Sequence, residues 1–287
     1  MKTLSIASVQ LRTQDDTALR AMVYQAYRPK AQIVLAGATG VPQRFYQRYA
    51  FAANKSGFNV LTLDYRGIAQ SKAGSLKGLK MDYLDWAQQD LAAAVDYAQR
   101  FNLPIYLIGH SYGGHAVGLL PNAHLIEGAY VFGTGAGNSS YMPVLERYKV
   151  AFWWRVIAPA IVKRHGFLAW SKLGMGEDLP IDVYRQWKHW CSFPHYFFDD
   201  PNMQHLHEQF AKFDKEIVAA NALDDKWAQP ASRDAFFKGY KNARVVPRDI
   251  SPQEAGMKSI DHMGYFQKHA HSLWQDTFDW LDDKLKT

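Results

Sequence analysis

The sequence predicts an α/β fold, a mostly parallel eight-stranded sheet with helices on both faces and a helical cap inserted late in the chain. Three observations lead there. Short apolar runs alternate with helix-length amphipathic segments up to Phe132. Strands then cease for about eighty residues in which Trp153, Trp154, Trp170, Trp187 and Trp190 accumulate. They resume at Glu216, and the chain closes on an amphipathic segment.

In chain order, Leu4 to Leu11, Ala18 to Tyr27 and Gln32 to Ala36 read as strands, and Gln43 to Lys55 as a helix. Asn59 to Leu63 follows as a fourth strand. A helix is expected from Asp82 to about Arg100, with Asp82 as N-cap, Asp85 three residues on, and Leu84, Leu91, Val95 and Tyr97 or Ala98 on its apolar face. Ile105 to Ile108 and Ala129 to Phe132 supply two more strands, Glu216 to Ala220 and Arg244 to Val246 the last two, and His271 to Leu285 a terminal helix. The core is therefore expected over residues 1–137 and 214–287, and the cap over residues 138–213. No internal repeat or low-complexity segment interrupts this order.

Composition limits the function classes. With 48% hydrophobic and 21% charged residues the chain is that of a globular protein. The single cysteine, Cys191, excludes an internal disulfide and a cysteine-rich zinc site, and reads as a buried thiol. The formal charge of +6 comes from basic residues spread along the chain without a dense run, which points to a solvated surface and away from nucleic acid. The most apolar run, Val150 to Val162, is broken by Arg155 and is too short to span a bilayer. The N-terminal residues carry no continuous apolar stretch of the secretory kind, so a cytoplasmic location is the expectation.

The chemistry centres on Gly109-His110-Ser111-Tyr112-Gly113. Gly-x-Ser-x-Gly alone carries little weight, but here it follows an apolar strand and opens the small-residue helix Gly113-Gly114-His115-Ala116-Val117. That setting projects a serine hydroxyl, which needs an imidazole to take its proton and a carboxylate to orient the ring. On such a turn the partners follow in the order acid, then histidine. His262, in a polar loop between the last strand and the last helix, is the expected base. Asp225, in the loop leaving Glu216 to Ala220, is the expected acid, with Asp224 its rival. Donors for a developing oxyanion are expected from Tyr112 N–H and, in the loop after the third strand, Ala38 N–H, with Thr39 its neighbour.

These residues resemble the α/β-hydrolase superfamily from about residue 30 to the end, the cap excepted. The chain is most similar to a bacterial group of predicted hydrolases, through Gly40-Val41-Pro42-Gln43-Arg44-Phe45-Tyr46, Asp64-Tyr65-Arg66-Gly67, Gly174 to Pro180, Gln186-Trp187, Trp190-Cys191 and His262-Met263-Gly264. That group resembles the monoglyceride-lipase and serine-aminopeptidase-like branch. The resemblance implies hydrolysis of an ester, thioester or amide in a small-molecule acyl substrate, without metal or organic cofactor. Ala36-Gly37 stands where many relatives carry His-Gly, and Ala69 where they often carry glycine. Tyr184, Trp187 and Trp190 share a helix face by spacing and are the candidates for an apolar acyl pocket.

The sequence also admits two other functions. A silent hydrolase fold used for binding is the first. The second is a nucleotide-dependent reductase, because Gly37-Ala38-Thr39-Gly40 with Asp64 imitates a dinucleotide fingerprint and Ser171, Tyr184 and Lys188 have a reductase spacing. Gln43 in place of the third glycine and Pro42 in the turn count against it.

Overall fold

The computed structural model describes residues 5–286. Eight strands form one sheet in the order β1-β2-β4-β3-β5-β6-β7-β8. They are β1 (Ser5–Arg12), β2 (Ala18–Gln25), β3 (Ala31–Ala36), β4 (Phe58–Leu63), β5 (Ile105–His110), β6 (Ile126–Phe132), β7 (Glu216–Ala222) and β8 (Arg244–Ile250). The first two run antiparallel to each other and β2 antiparallel to β4, while every later pairing is parallel. Each expected strand is present, and the expected start at Leu4 lies outside the described residues.

The central strands are buried throughout, as a sheet covered on both faces requires. Side chains of β3 alternate between two apolar cores, Val34 and Ala36 to one and Ile33 and Leu35 to the other. Helices α1 (Gln47–Lys55) and α9 (His271–Lys284) close the second core, where Tyr49 donates to or accepts from Thr277 at 2.9 Å and packs on Phe278 and Trp274. Helices α2 (Ala92–Ala98), α3 (Tyr112–Ala116) and α8 (Pro230–Phe237) belong to the first.

The expected helix from Asp82 begins later than its sequence pattern suggests. Asp82 N–H donates to Asp85 and Leu84 N–H to Asp82, both at 2.8 Å, so the two carboxylates cap a turn rather than the helix itself. The helix starts at Trp86 with a wide π-type turn to Leu91 and only then tightens into α2. Within that turn buried Asp90 accepts both Arg66 N–H and Arg66 Nε–H at 2.7 Å.

Between β6 and β7 the chain adds no strand to the sheet. It forms α4 (Val144–Phe152), a π-type turn over Trp153–Ile157, α5 (Ala158–His165), α6 (Ile181–Trp190) and α7 (His205–Ala211). Because α4, the π turn and α5 are contiguous, residues 144–165 make one long helix, ended by Gly166 at φ 80°. No helix among the described residues is long and apolar enough to cross a membrane.

Candidate active site

Ser111 stands between the end of β5 and the start of α3 at φ 52° and ψ −107°, a strained conformation for any residue with a side chain. The neighbouring glycines make that turn possible. A Cβ on Gly113 would lie 2.1 Å from the Ala36 carbonyl oxygen, and one on Gly109 would lie 2.9 Å from Val131 Cγ1. The turn is tied down by Ser111 N–H to the Phe132 carbonyl at 2.8 Å and by Thr134 Oγ1–H to the Ser111 carbonyl at 2.9 Å.

His262 Nε2 lies 3.0 Å from Ser111 Oγ, and its Nδ1 lies 2.9 Å from Asp225 Oδ2. An ionised carboxylate only accepts, so Nδ1 carries the proton and Nε2 is left to accept from the serine hydroxyl. Asp225 is fully buried yet richly served. Its Oδ1 accepts Trp227 and Ala228 N–H at 3.0 and 2.9 Å, and its Oδ2 accepts Tyr265 O–H at 3.0 Å. Burial would raise this carboxyl, but the interaction with the His262 ring and these donors outweigh it and hold it below the ordinary value. Asp224 meets a different fate, accepting Ile260 N–H at 2.9 Å and Asp261 N–H at 3.2 Å, and so fastens the loop that carries His262.

The two oxyanion candidates part company. Tyr112, first residue of α3, has an N–H with no helical carbonyl to meet. Ala38 N–H, by contrast, is already donated to Tyr46 Oη at 2.7 Å, so the expected second donor is spoken for. Among the described residues Thr39 N–H has no such acceptor, and Thr39 lines the same cavity as Ser111.

Tyr46 and His110 were not singled out as partners by their place in the sequence, and their roles follow from bond directions. His110 Nε2 sits 2.8 Å from the His262 carbonyl, which can only accept. The ring is neutral, because burial foremost, with the nearby His262, lowers it to about 3. Its Nδ1 therefore accepts from Tyr46 O–H at 3.0 Å, and one chain runs from Ala38 N–H through Tyr46 and His110 to the backbone of His262. His115 is likewise buried and neutral, bonding the Gly135 carbonyl at 2.8 Å and stacking on Tyr196.

Ser111 and His262 open on a cavity of about 600 Å³. Its wall is mostly apolar, including Trp153, Trp154, Trp170, Trp187 and Trp227, and among the described residues Lys149 is the one lysine or arginine that lines it. Of the three aromatic residues expected there, only Trp187 reaches it. Residues at i, i+3 and i+6 spread over about 120° of a helix, so the outer two turn aside. Tyr184 packs on Trp154, and Trp190 stacks on Tyr83 and donates Nε1–H to Asp200 at 3.1 Å. Among the lining residues that helical spacing did not single out are Trp227 and Met263, each within two positions of an expected triad member.

The nucleotide reading finds no site. Both oxygens of Asp64 are taken by Gln43, through N–H at 2.7 Å and Nε2 at 3.0 Å, and Ser171 is bonded to Asp178.

A family model described as the alpha/beta hydrolase family matches residues 33–276. The chain belongs to that family. A search of curated proteins returns no match. Among solved structures the chain is similar to a soluble variant of monoglyceride lipase from Saccharomyces cerevisiae in complex with a substrate analog, at 15% identity over 97% of this chain and 96% of that one, with a TM-score of 0.69. It is also similar to Est1E from Butyrivibrio proteoclasticus with ferulic acid bound, at 16% identity, 97% and 100% coverage and a TM-score of 0.61. At such identities these likenesses bear on the fold.

Proposed function

We propose that this chain is a serine hydrolase of carboxylic esters or related acyl bonds, with Ser111 as nucleophile, His262 as general base and Asp225 as the acid that orients it. The observation that carries this is the unbroken line from Asp225 Oδ2 to His262 Nδ1 and from Nε2 to Ser111 Oγ, at 2.9 and 3.0 Å. In this scheme Ser111 Oγ attacks the acyl carbon as its proton passes to His262, and the ring then gives that proton to the leaving group. Water, deprotonated by the same ring, releases the acyl group from Ser111. The oxyanion meets Tyr112 N–H and, on this reading, Thr39 N–H, since Ala38 N–H is engaged by Tyr46.

The helical insertion serves as the cap, and its apolar wall over Ser111 favours a small to medium acyl chain. A fluorophosphonate probe should label the wild-type protein and leave Ser111→Ala unlabelled. Hydrolysis of p-nitrophenyl esters should rise from acetate to medium chains. Asp225→Asn should lower kcat by about three to four orders of magnitude, whereas Asp224→Asn, which only loosens a loop anchor, should cost less than about ten-fold. Equal losses in the two variants, or labelling that survives in Ser111→Ala, would reject the assignment.

A further inference from the structure

The long helix over residues 144–165 has two apolar faces where a water-facing helix needs one. Val150, Trp154 and Ile157 turn towards the cavity. On the other side Val144, Leu145, Tyr148, Phe152 and Val156 are each at least 50% exposed. The positions 145, 148, 152 and 156 form one stripe by helical spacing. A contiguous exposed apolar stripe of this kind marks a contact surface.

The stripe leads into the mouth of the cavity. Phe152 and Met175 are more than half exposed and at the same time line the cavity, so they rim its opening. The charges along this segment are predominantly basic. Between Val144 and Gly176 the chain carries Arg147, Lys149, Arg155, Lys163, Arg164 and Lys172 against a single carboxylate, Glu146, which is paired with Lys149. All six basic residues are exposed. By helical spacing Lys149 and Arg155 flank the stripe on either side. An apolar stripe within a cationic border is complementary to a lipid surface bearing negative headgroups. A second copy of this chain would bring like charges together across the contact.

We propose that this helix docks the protein on an anionic lipid bilayer as a peripheral protein, with the cavity mouth turned to the lipid. Docking depends on the stripe and its charges alone. The passage of an acyl substrate from the lipid to Ser111 rests also on the hydrolase reading above.

The test uses full-length Ser111→Ala protein, which leaves lipid intact, in co-sedimentation with phosphatidylcholine vesicles with and without phosphatidylglycerol. Partition should be at least about ten-fold stronger onto the anionic vesicles, at roughly five-fold per engaged basic residue, and should weaken with added salt. Adding Leu145→Asp and Tyr148→Asp should reduce it a further ten-fold or more, at about that factor per apolar side chain withdrawn. The same two substitutions in active protein should leave hydrolysis of a soluble short-chain ester unchanged, because neither residue lines the cavity. Absence of binding, equal binding to both vesicle types, or binding that survives the double substitution would overturn the proposal. A dimer in light scattering that the double substitution dissociates, without vesicle binding, would assign the stripe to a second copy instead. Vesicle binding without ester hydrolysis would leave docking standing and remove the hydrolase reading.

Discussion

Ser111 is held in a conformation that costs about 1–3 kcal/mol, so its surroundings must over-determine it. Part of that constraint is the turn itself, where Gly109 and Gly113 remove the side chains that would collide with Val131 and Ala36. The rest is long-range. The chain from Ala38 through Tyr46 and His110 joins the loop after β3 to the loop carrying His262, and each of its three bonds has a fixed direction. Tyr46→Phe removes the hydroxyl from the middle of it and leaves both Ala38 N–H and His110 Nδ1 without their partner. Buried polar groups orphaned in this way cost about 1–3 kcal/mol each. Urea denaturation should therefore show Tyr46→Phe destabilised by about 2 kcal/mol or more. Ester hydrolysis should fall far less than in Ser111→Ala, since Tyr46 steadies the site and takes no proton from substrate. Unchanged stability would mean that the chain does not bind the two loops together.

At the level of elements, α6 separates packing from pocket within one run of aromatics. Trp187 faces the cavity, while Trp190 is 1% exposed and wedged between Tyr83, Tyr196 and Phe197. Trp190→Ala should cost about 3–5 kcal/mol of stability and leave the acyl-chain preference where it was. Trp187→Ala should cost less and shift that preference to longer chains, as kcat/KM over a series of p-nitrophenyl esters would reveal; a shift in Trp190→Ala alone would invert the assignment. Spacing could place the three aromatic residues on a helix but could not tell which third of its surface meets the cavity, because that depends on how α6 packs. The same limit explains other misses. Strands declared themselves through apolar runs with turn residues at their ends, and Gly-x-Ser-x-Gly through its place after β5. The late start of the helix at Trp86 depends on a π turn that presents Asp90 to Arg66, 24 positions away in sequence. Tyr46 and His110 are 64 positions apart and His110 and His262 are 152 apart, so no local pattern could link them.

Across the whole molecule, the two buried histidines couple stability to pH. Burial chiefly lowers His110 to about 3 and His115 to about 4, while an unfolded chain titrates them near the ordinary 6.5. Between those limits the unfolded state binds more protons than the folded one, so stability is full above about pH 6.5 and is lost as pH falls towards 4. His115 contributes roughly 3 kcal/mol over its window and His110 roughly 5. Asp90, pushed up to about 7 mainly by burial against the opposing pull of Arg66, contributes with the opposite sign in part of the same range. The wild-type curve is therefore a sum, and the informative quantity is its difference from His115→Gln. Glutamine can still donate to the Gly135 carbonyl but takes up no proton, and Asp90 and His110 are common to both proteins. The difference in denaturant-unfolding free energy between His115→Gln and wild type should change by about 2–3 kcal/mol in favour of the variant from pH 7 to pH 4.5. A difference that stays constant across that interval would show that His115 titrates in the folded protein as it does in the unfolded one, and so is not buried in its neutral form.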